Sequence, residues 1–268
     1  MQLSISNIAW NSNHDQAMHT FLKANNIKAL EIAPTRIFPT TPYDKLDEAN
    51  HFHKKLKSEN LSISSIQSIW YGRPENIFTS NEQREKLTEY TKKAINFASA
   101  FNCPNLVFGC PKNRTIQSNI DRNNALPIAY DFFNILGNYA TKHNTCISIE
   151  PNPPIYNTNF INTTQEAFDI CKTIDNPGIK VNLDLGTMIH NKESIEILKD
   201  NINLINHIHI SEPYLVPIKK RSLHRELICE LHNLNYKKYI SIEMGTQEDI
   251  NVVKNSMLYL QGVVSDVI

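Results

Sequence analysis

Glycine is scarce, 7 residues in 268. Neither Gly-x-Gly-x-x-Gly nor Gly-x-x-x-x-Gly-Lys-Ser/Thr occurs, which excludes the glycine-rich loops that cradle phosphates ahead of a helix. No apolar run approaches the ~20 residues of a membrane-spanning helix. The first residues, MQLSISNIAW, lack a basic segment followed by an apolar one, so no signal peptide is expected. Net charge is also lacking, with 27 basic residues against 27 acidic ones and a pI near 7.1. That balance argues against nucleic acid or anionic membrane as a partner held by bulk electrostatics. The five cysteines, Cys103, Cys110, Cys146, Cys171 and Cys229, form no Cys-x-x-Cys pair. Their odd number in a chain too long to need staples points to reduced thiols and a cytoplasmic protein.

What is present is an ordinary globular composition, 41% apolar and 20% charged. Eight short apolar, β-branched runs recur along the chain, at 3–10, 28–33, 61–71, 104–110, 145–151, 179–186, 206–212 and 239–244. Amphipathic stretches with helical spacing lie between them, for example 81–101, 164–174 and 224–234. Ser80 with Gln83 and Thr163 with Glu166 have the spacing of helix-capping pairs. Strict alternation of strand and helix, eight times over, predicts one α/β domain over 1–268, a single (β/α)8 TIM barrel. A doubly wound open sheet uses the same alternation, but this length and strand count suit the barrel better.

In a barrel the chemistry sits at the C-terminal strand ends. The last four strands end on Ser148-Ile149-Glu150, Asn182-Leu183-Asp184, His207-Ile208-His209 and Ser241-Ile242-Glu243. Side chains alternate faces along a strand, so Glu150, Asp184, His209 and Glu243 share the inward face. Ser148, Asn182, His207 and Ser241 lie one layer below them. A single carboxylate at a strand end is ordinarily a cap or a rim residue. Asp, Glu and His fill 37 of 268 positions, however, and at that frequency chance places one at all four ends in only roughly 1–2% of barrels. Three inward carboxylates beside one histidine would repel one another without a cation. An oxygen-rich set of this kind suits Mn²⁺ best, with Mg²⁺, Co²⁺ or Zn²⁺ as alternatives.

These residues resemble the ligand pattern of the xylose isomerase-like TIM barrels, a superfamily of sugar isomerases and epimerases that also contains the endonuclease IV type. The stretches FGCPKNR (108–114), IEPNPPIY (149–156), HISEP (209–213) and IEM (242–244) are similar to those of a bacterial subgroup described only as sugar phosphate isomerases or epimerases. The resemblance implies one divalent ion on Glu150, Asp184, His209 and Glu243. It implies Glu150 and Glu243 as the acid–base pair that moves a proton next to a carbonyl through an enediolate. It further implies a carbohydrate or sugar-phosphate substrate, with a link to cell-surface carbohydrate biosynthesis. The alternatives are a metal-dependent dehydratase or lyase, an endonuclease IV-like hydrolase, and a barrel that only binds carbohydrate. The chain departs from the family pattern in three places. Thr187 replaces the histidine of Asp-x-Gly-His, with His190 three residues on as the nearest substitute. Tyr156 and Leu215 replace a substrate-binding glutamate and arginine.

Further residues are expected around the substrate. Lys112 and Arg114 follow strand 4 and suit a phosphate or carboxylate clamp. Gln67, Trp70 and Tyr71 follow strand 3, the aromatics suiting a sugar ring or pocket wall. Asn152, Tyr156 and Glu212 lie just past two of the acidic or histidine ends. Lys219, Lys220 and Arg221 follow strand 7, where barrels often bind phosphate. Glu31 suits a substrate hydroxyl, and His207 suits a packed or supporting position. His51 and His53 are expected on a helix surface. A homo-oligomer is compatible with this reading.

Overall fold

The structure, a computed structural model, describes residues 1–268. Every one of the eight apolar runs forms a strand: β1 (Gln2–Ile5), β2 (Ala29–Ile32), β3 (Ser62–Ile66), β4 (Leu106–Phe108), β5 (Ile147–Ile149), β6 (Ile179–Asp184), β7 (Ile205–Ile210) and β8 (Tyr239–Ile242). All ladders are parallel, in the order β1-β8-β7-β6-β5-β4-β3-β2. A single bridge between Ser6 and Glu31 joins β1 to β2 and brings the sheet round to a nearly closed barrel. The helices are α1 (Asp15–Ala24), α2 (Pro34–Ile37), α3 (Leu46–Ser58), α4 (Asn81–Ala100), α5 (Arg122–Lys142), α6 (Thr164–Ile174), α7 (Leu185–Asn191), α8 (Ser222–Asn233) and α9 (Ile250–Ser265).

Strands are shorter than their apolar runs, for local reasons. β1 stops at Ile5 because the Ser6 hydroxyl accepts a hydrogen bond from the Ile8 N–H and starts a 3₁₀ turn. β3 stops at Ile66 because Ser68 turns the chain at φ 53°. The two predicted caps form, Ser80 accepting from the Gln83 N–H and Thr163 from the Glu166 N–H. The reciprocal half of each capping pair is spent elsewhere. Gln83 accepts from the Asn76 N–H and Glu166 from the Asn162 N–H, so both helix starts are tied to the preceding loops.

Ile147, Ile149, Val181, Leu183, Ile208, Ile210, Ile240 and Ile242 are fully buried in one apolar cluster with the helices. The barrel interior is polar instead. Ser4 and Ser64 share a hydrogen bond of 2.6 Å, and Ser148 donates to Asn105, which in turn donates to Ser65. Apolar packing on the outer face of the sheet therefore carries the stability, and the interior is left for hydrogen bonds. His53, expected at the surface, is buried edge-on against Phe101 because the apolar face of α3 turns it inward.

Helix α5 lies close enough on β6 to leave no room for a side chain at the contact. A Cβ on Gly178 would stand 2.1 Å from the Gly137 carbonyl oxygen and 2.6 Å from Thr141 Oγ1. Gly178→Ala should therefore cost about 1–3 kcal/mol, read as a lowered urea midpoint. Gly262→Ala, on α9 with nothing within 4 Å of the added methyl, should instead stabilise by roughly 0.4–1 kcal/mol.

Candidate active site

Asp184 and His209 pair across the β6–β7 ladder, and Ser241 on β8 pairs with His209, so adjacent strands present their polar residues at one height. Glu150 and Glu243 follow β5 and β8 by one residue. The result is a cup at the C-terminal mouth in which Glu150, Asp184, His209 and Glu243 each bring a ligand-type atom within 4.8 Å of the others. His209 is fully buried and the three carboxylates are 7–8% exposed.

His209 sits at the centre. Its Nδ1 lies 2.9 Å from Glu150 Oε1 and 3.2 Å from Glu243 Oε2. Its Nε2 lies 3.0 Å from Glu31 Oε1, and Glu31 Oε2 also lies 2.6 Å from His207 Nε2. Glu31 is therefore not a substrate contact. It is fully buried beneath the cup, where it anchors one edge of the imidazole and turns the other toward Glu150 and Glu243. Its carboxyl opposes burial and is held far below the carboxylate range by His209 and His207. His207 takes the supporting position expected of it.

Glu150 and Asp184 have supports of their own, whereas Glu243 faces only His209. Asn182 Nδ2 donates to Glu150 Oε1 at 2.6 Å, and Asn152 Nδ2 donates to Glu150 Oε2 at 3.1 Å. Asp184 Oδ2 accepts from the Thr187 N–H and from Thr187 Oγ1, both at 2.7 Å, and its other oxygen accepts from Ser211. The proton affinities diverge accordingly. Burial raises Asp184, with the Glu150 charge adding to it. Burial lifts Glu243 to about 7, the charges of Glu150 and Asp184 adding and His209 opposing. Glu150 goes the other way: His209, Asn152 and Arg114 overcome its burial and hold it down. Despite burial, Glu31 and Glu243 raise His209 well above an ordinary histidine.

Several expected substrate residues do not reach the cleft. Arg114 is fully buried and spent on the protein itself, donating to the Glu150 carbonyl at 2.8 Å and to Asn152 Oδ1 at 2.7 Å. It braces the segment after β5 rather than clamping a ligand. Glu212 is 1% exposed, its carboxylate taken by Arg221 Nε and Nη2 and by the Lys219 N–H. That pairing also removes Arg221 from any phosphate site. Trp70 is almost fully buried, its indole N–H donating to Thr91 and its ring edge-on to Phe108, yet it forms part of the wall of the space between the segments that follow β3 and β4, as the pocket-wall expectation had it. His190 is exposed on α7 and takes no part in the cup.

Gln67, Asn152, Tyr156 and Leu215 line the cleft with the three carboxylates. Gln67 also donates to Glu31 at 3.0 Å. The Tyr156 hydroxyl accepts from the Tyr214 N–H, and burial pushes its phenol up to about 12, so it stays protonated. Glu31 is the residue whose role sequence reasoning missed. Its signal was an acidic residue ending a strand whose neighbours are apolar, a position where an unpaired charge would not be tolerated.

Residues 20–261 match the family described as xylose isomerase-like TIM barrel. The chain belongs to that family. No curated protein matches its sequence. Among solved structures, the D-psicose 3-epimerase of Clostridium cellulolyticum H10 with D-tagatose superposes with a TM-score of 0.83 at 14% identity, covering 100% of this chain and 99% of that one. The apo 3-keto-D-glucoside 4-epimerase YcjR of E. coli gives 0.80 at 16%, covering 98% and 99%. The family 2 AP endonuclease of Brucella melitensis gives 0.75 at 16%, covering 98% and 99%. Identities this low establish a shared barrel, and the barrel serves sugar epimerases and a nuclease alike.

Glu31→Gln keeps the shape of the support but removes its charge. It should weaken Mn²⁺ binding about 10–100-fold with the far-UV spectrum unchanged, as isothermal titration would read. Cation binding also needs ionised carboxylates, and Glu243 holds its proton up to about pH 7. Mn²⁺ affinity should therefore fall as pH drops from 8 to 6, with proton release on binding over that range.

Proposed function

We propose that this chain is a divalent-metal-dependent sugar or sugar-phosphate isomerase or epimerase that moves a proton at a carbon next to a carbonyl. One observation carries the reading. Two glutamates from strands three apart face the same buried imidazole, Glu150 Oε1 at 2.9 Å and Glu243 Oε2 at 3.2 Å from His209 Nδ1. Two carboxylates brought to one point from separate strands are what acid and base acting on one carbon require.

The donor set fits a divalent cation. Three carboxylates outnumber the single imidazole, and His209 is held through Nε2 so that Nδ1 faces them. Glu150, Asp184, His209 and Glu243 would hold the ion, and their oxygen-rich character favours Mn²⁺, Mg²⁺ or Co²⁺. Such an ion, when bound, polarises the substrate carbonyl and offsets the charge that develops on its oxygen. Glu150, kept ionised chiefly by His209 with Asn152 and Arg114 adding, accepts the proton from the carbon. Glu243, the second glutamate at that imidazole, returns one. Gln67, Asn152 and the protonated Tyr156 hydroxyl hold substrate hydroxyls, and Leu215 gives the cleft an apolar wall. Cys110 also lines the cleft, but its surroundings push its thiol up to about 12, which disfavours the thiolate.

The endonuclease reading needs further histidines on the metal. The family's histidine position is filled by Thr187, whose hydroxyl is spent on Asp184 and on the Pro151 carbonyl at 2.9 Å.

Purified protein reloaded with Mn²⁺ should carry about one ion per chain by mass spectrometry, lost in Asp184→Asn. With ketoses and ketose phosphates in D₂O it should exchange one carbon-bound hydrogen, and chelation should stop the exchange. Glu243→Gln should slow that exchange by at least ~10²-fold while the protein stays folded. Full exchange in Glu243→Gln would end the assignment.

A further inference from the structure

A second chamber opens beside the cleft. It has a volume of about 440 Å³ and lies between the segments that follow β3 and β4. Ser68, Cys110 and Pro111 border both this chamber and the inner cleft, so the two are immediate neighbours. The inner cleft alone is about 180 Å³, below the ~300–1,000 Å³ of typical ligand pockets. The two spaces together fall within that range.

The chamber is preformed. Asn76 Nδ2 donates to the carbonyls of Lys112 and Thr115, both at 3.0 Å. Asn113 Nδ2 donates back to the carbonyls of Arg73 and Glu75, at 3.0 and 2.6 Å. The Ile77 N–H donates to the Asn113 carbonyl at 2.9 Å. Both asparagines are 7% exposed, so these bonds are shielded from water and the two loops hold one shape without a ligand.

The chamber's charge is opposite to that of the cleft. Arg73 is paired with Glu75 and lies over the Tyr90 ring. Lys112 is exposed, lines the chamber, and pairs with no carboxylate. Beside it Tyr71 leaves 72% of its surface open. A ligand with one end among three carboxylates and the other beside a free ammonium and an open aromatic ring is selected for charge at its far end.

We propose that the substrate is a two-ended sugar whose far end carries an anionic group, phosphoryl or carboxylate. That group sits at Lys112, and the adjoining carbon face lies against Tyr71. The inference rests on the proposed function for the near end, where the reacting carbon lies at Glu150 and Glu243. Lys112 therefore acts in binding, at a distance from the proton transfer.

The test is titration of Mn²⁺-loaded protein with D-fructose, D-fructose 6-phosphate and D-fructuronate by calorimetry, repeated after chelation. At least one anionic probe should bind roughly tenfold or more tightly than D-fructose, and which one does so tells phosphoryl from carboxylate. That advantage should vanish in Lys112→Ala and return in Lys112→Arg. Tyr71→Ala should weaken the favoured probe. Equal binding of all three probes, including no binding of any, overturns the proposal. So does an advantage that survives Lys112→Ala. The metal arm judges the near end separately: if chelation leaves D-fructose binding unchanged, the proposed function fails whatever Lys112 does.

Discussion

The carboxylates of Glu150, Asp184 and Glu243 repel one another in a cup that water barely reaches, and the surrounding structure is organised to bear that repulsion. Like charges this close in a medium of low dielectric are costly. His209 takes up part of the strain by facing two of the three. It holds that position only because Glu31 grips its far edge, and Glu31 tolerates complete burial only because His207 and Gln67 also face it. Removing any of these takes a partner from a buried charge. What remains is an excess of negative charge that a divalent cation would balance, which links the stability of the cup to the chemistry proposed for it.

The same constraint explains the inverted barrel. A plain barrel fills its interior with branched apolar side chains. Here serine, asparagine, glutamine and histidine occupy those places, because each polar group at the mouth needs a partner in the layer below. Asn182 holds Glu150, Asn105 ties Ser148 to Ser65, and Gln67 links Glu31 to Ser6. The apolar packing lost inside is made up outside, where every helix-facing strand residue in the second half of the barrel is buried. Arg114 extends this support from the side, fixing the backbone of Glu150 and the amide of Asn152 at once. Around the rim, paired asparagines do the same for the loops after β3 and β4, so the approach to the cup is as fixed as the cup itself.

Much of this was legible in the sequence. The eight strands, the parallel alternation and the four inward residues at consecutive strand ends follow from period-two patterning, which is local and survives in any tertiary context. The two helix caps follow from side chains that reach only three residues ahead. The misreadings share one cause. Arg114 and Glu212 stand at positions where a barrel displays ligand contacts, and each is instead consumed by the protein's own groups, Arg114 by the Glu150 carbonyl and Asn152 and Glu212 by Arg221. Glu31 lies 178 residues from His209, and no spacing rule joins them.

By itself the sequence determined which residues form strands and helices and which faces carry carboxylates and imidazole, because backbone periodicity is set by neighbours a few residues apart. Tertiary structure alone decided which charges meet, which are neutralised and which remain free. That is a matter of distances across the barrel. It made a bridging histidine of His209 and a buried anchor of Glu31. It spent Arg114 and Arg221 on the protein's own carbonyls and carboxylates, and it left Lys112 unpaired beside an open chamber.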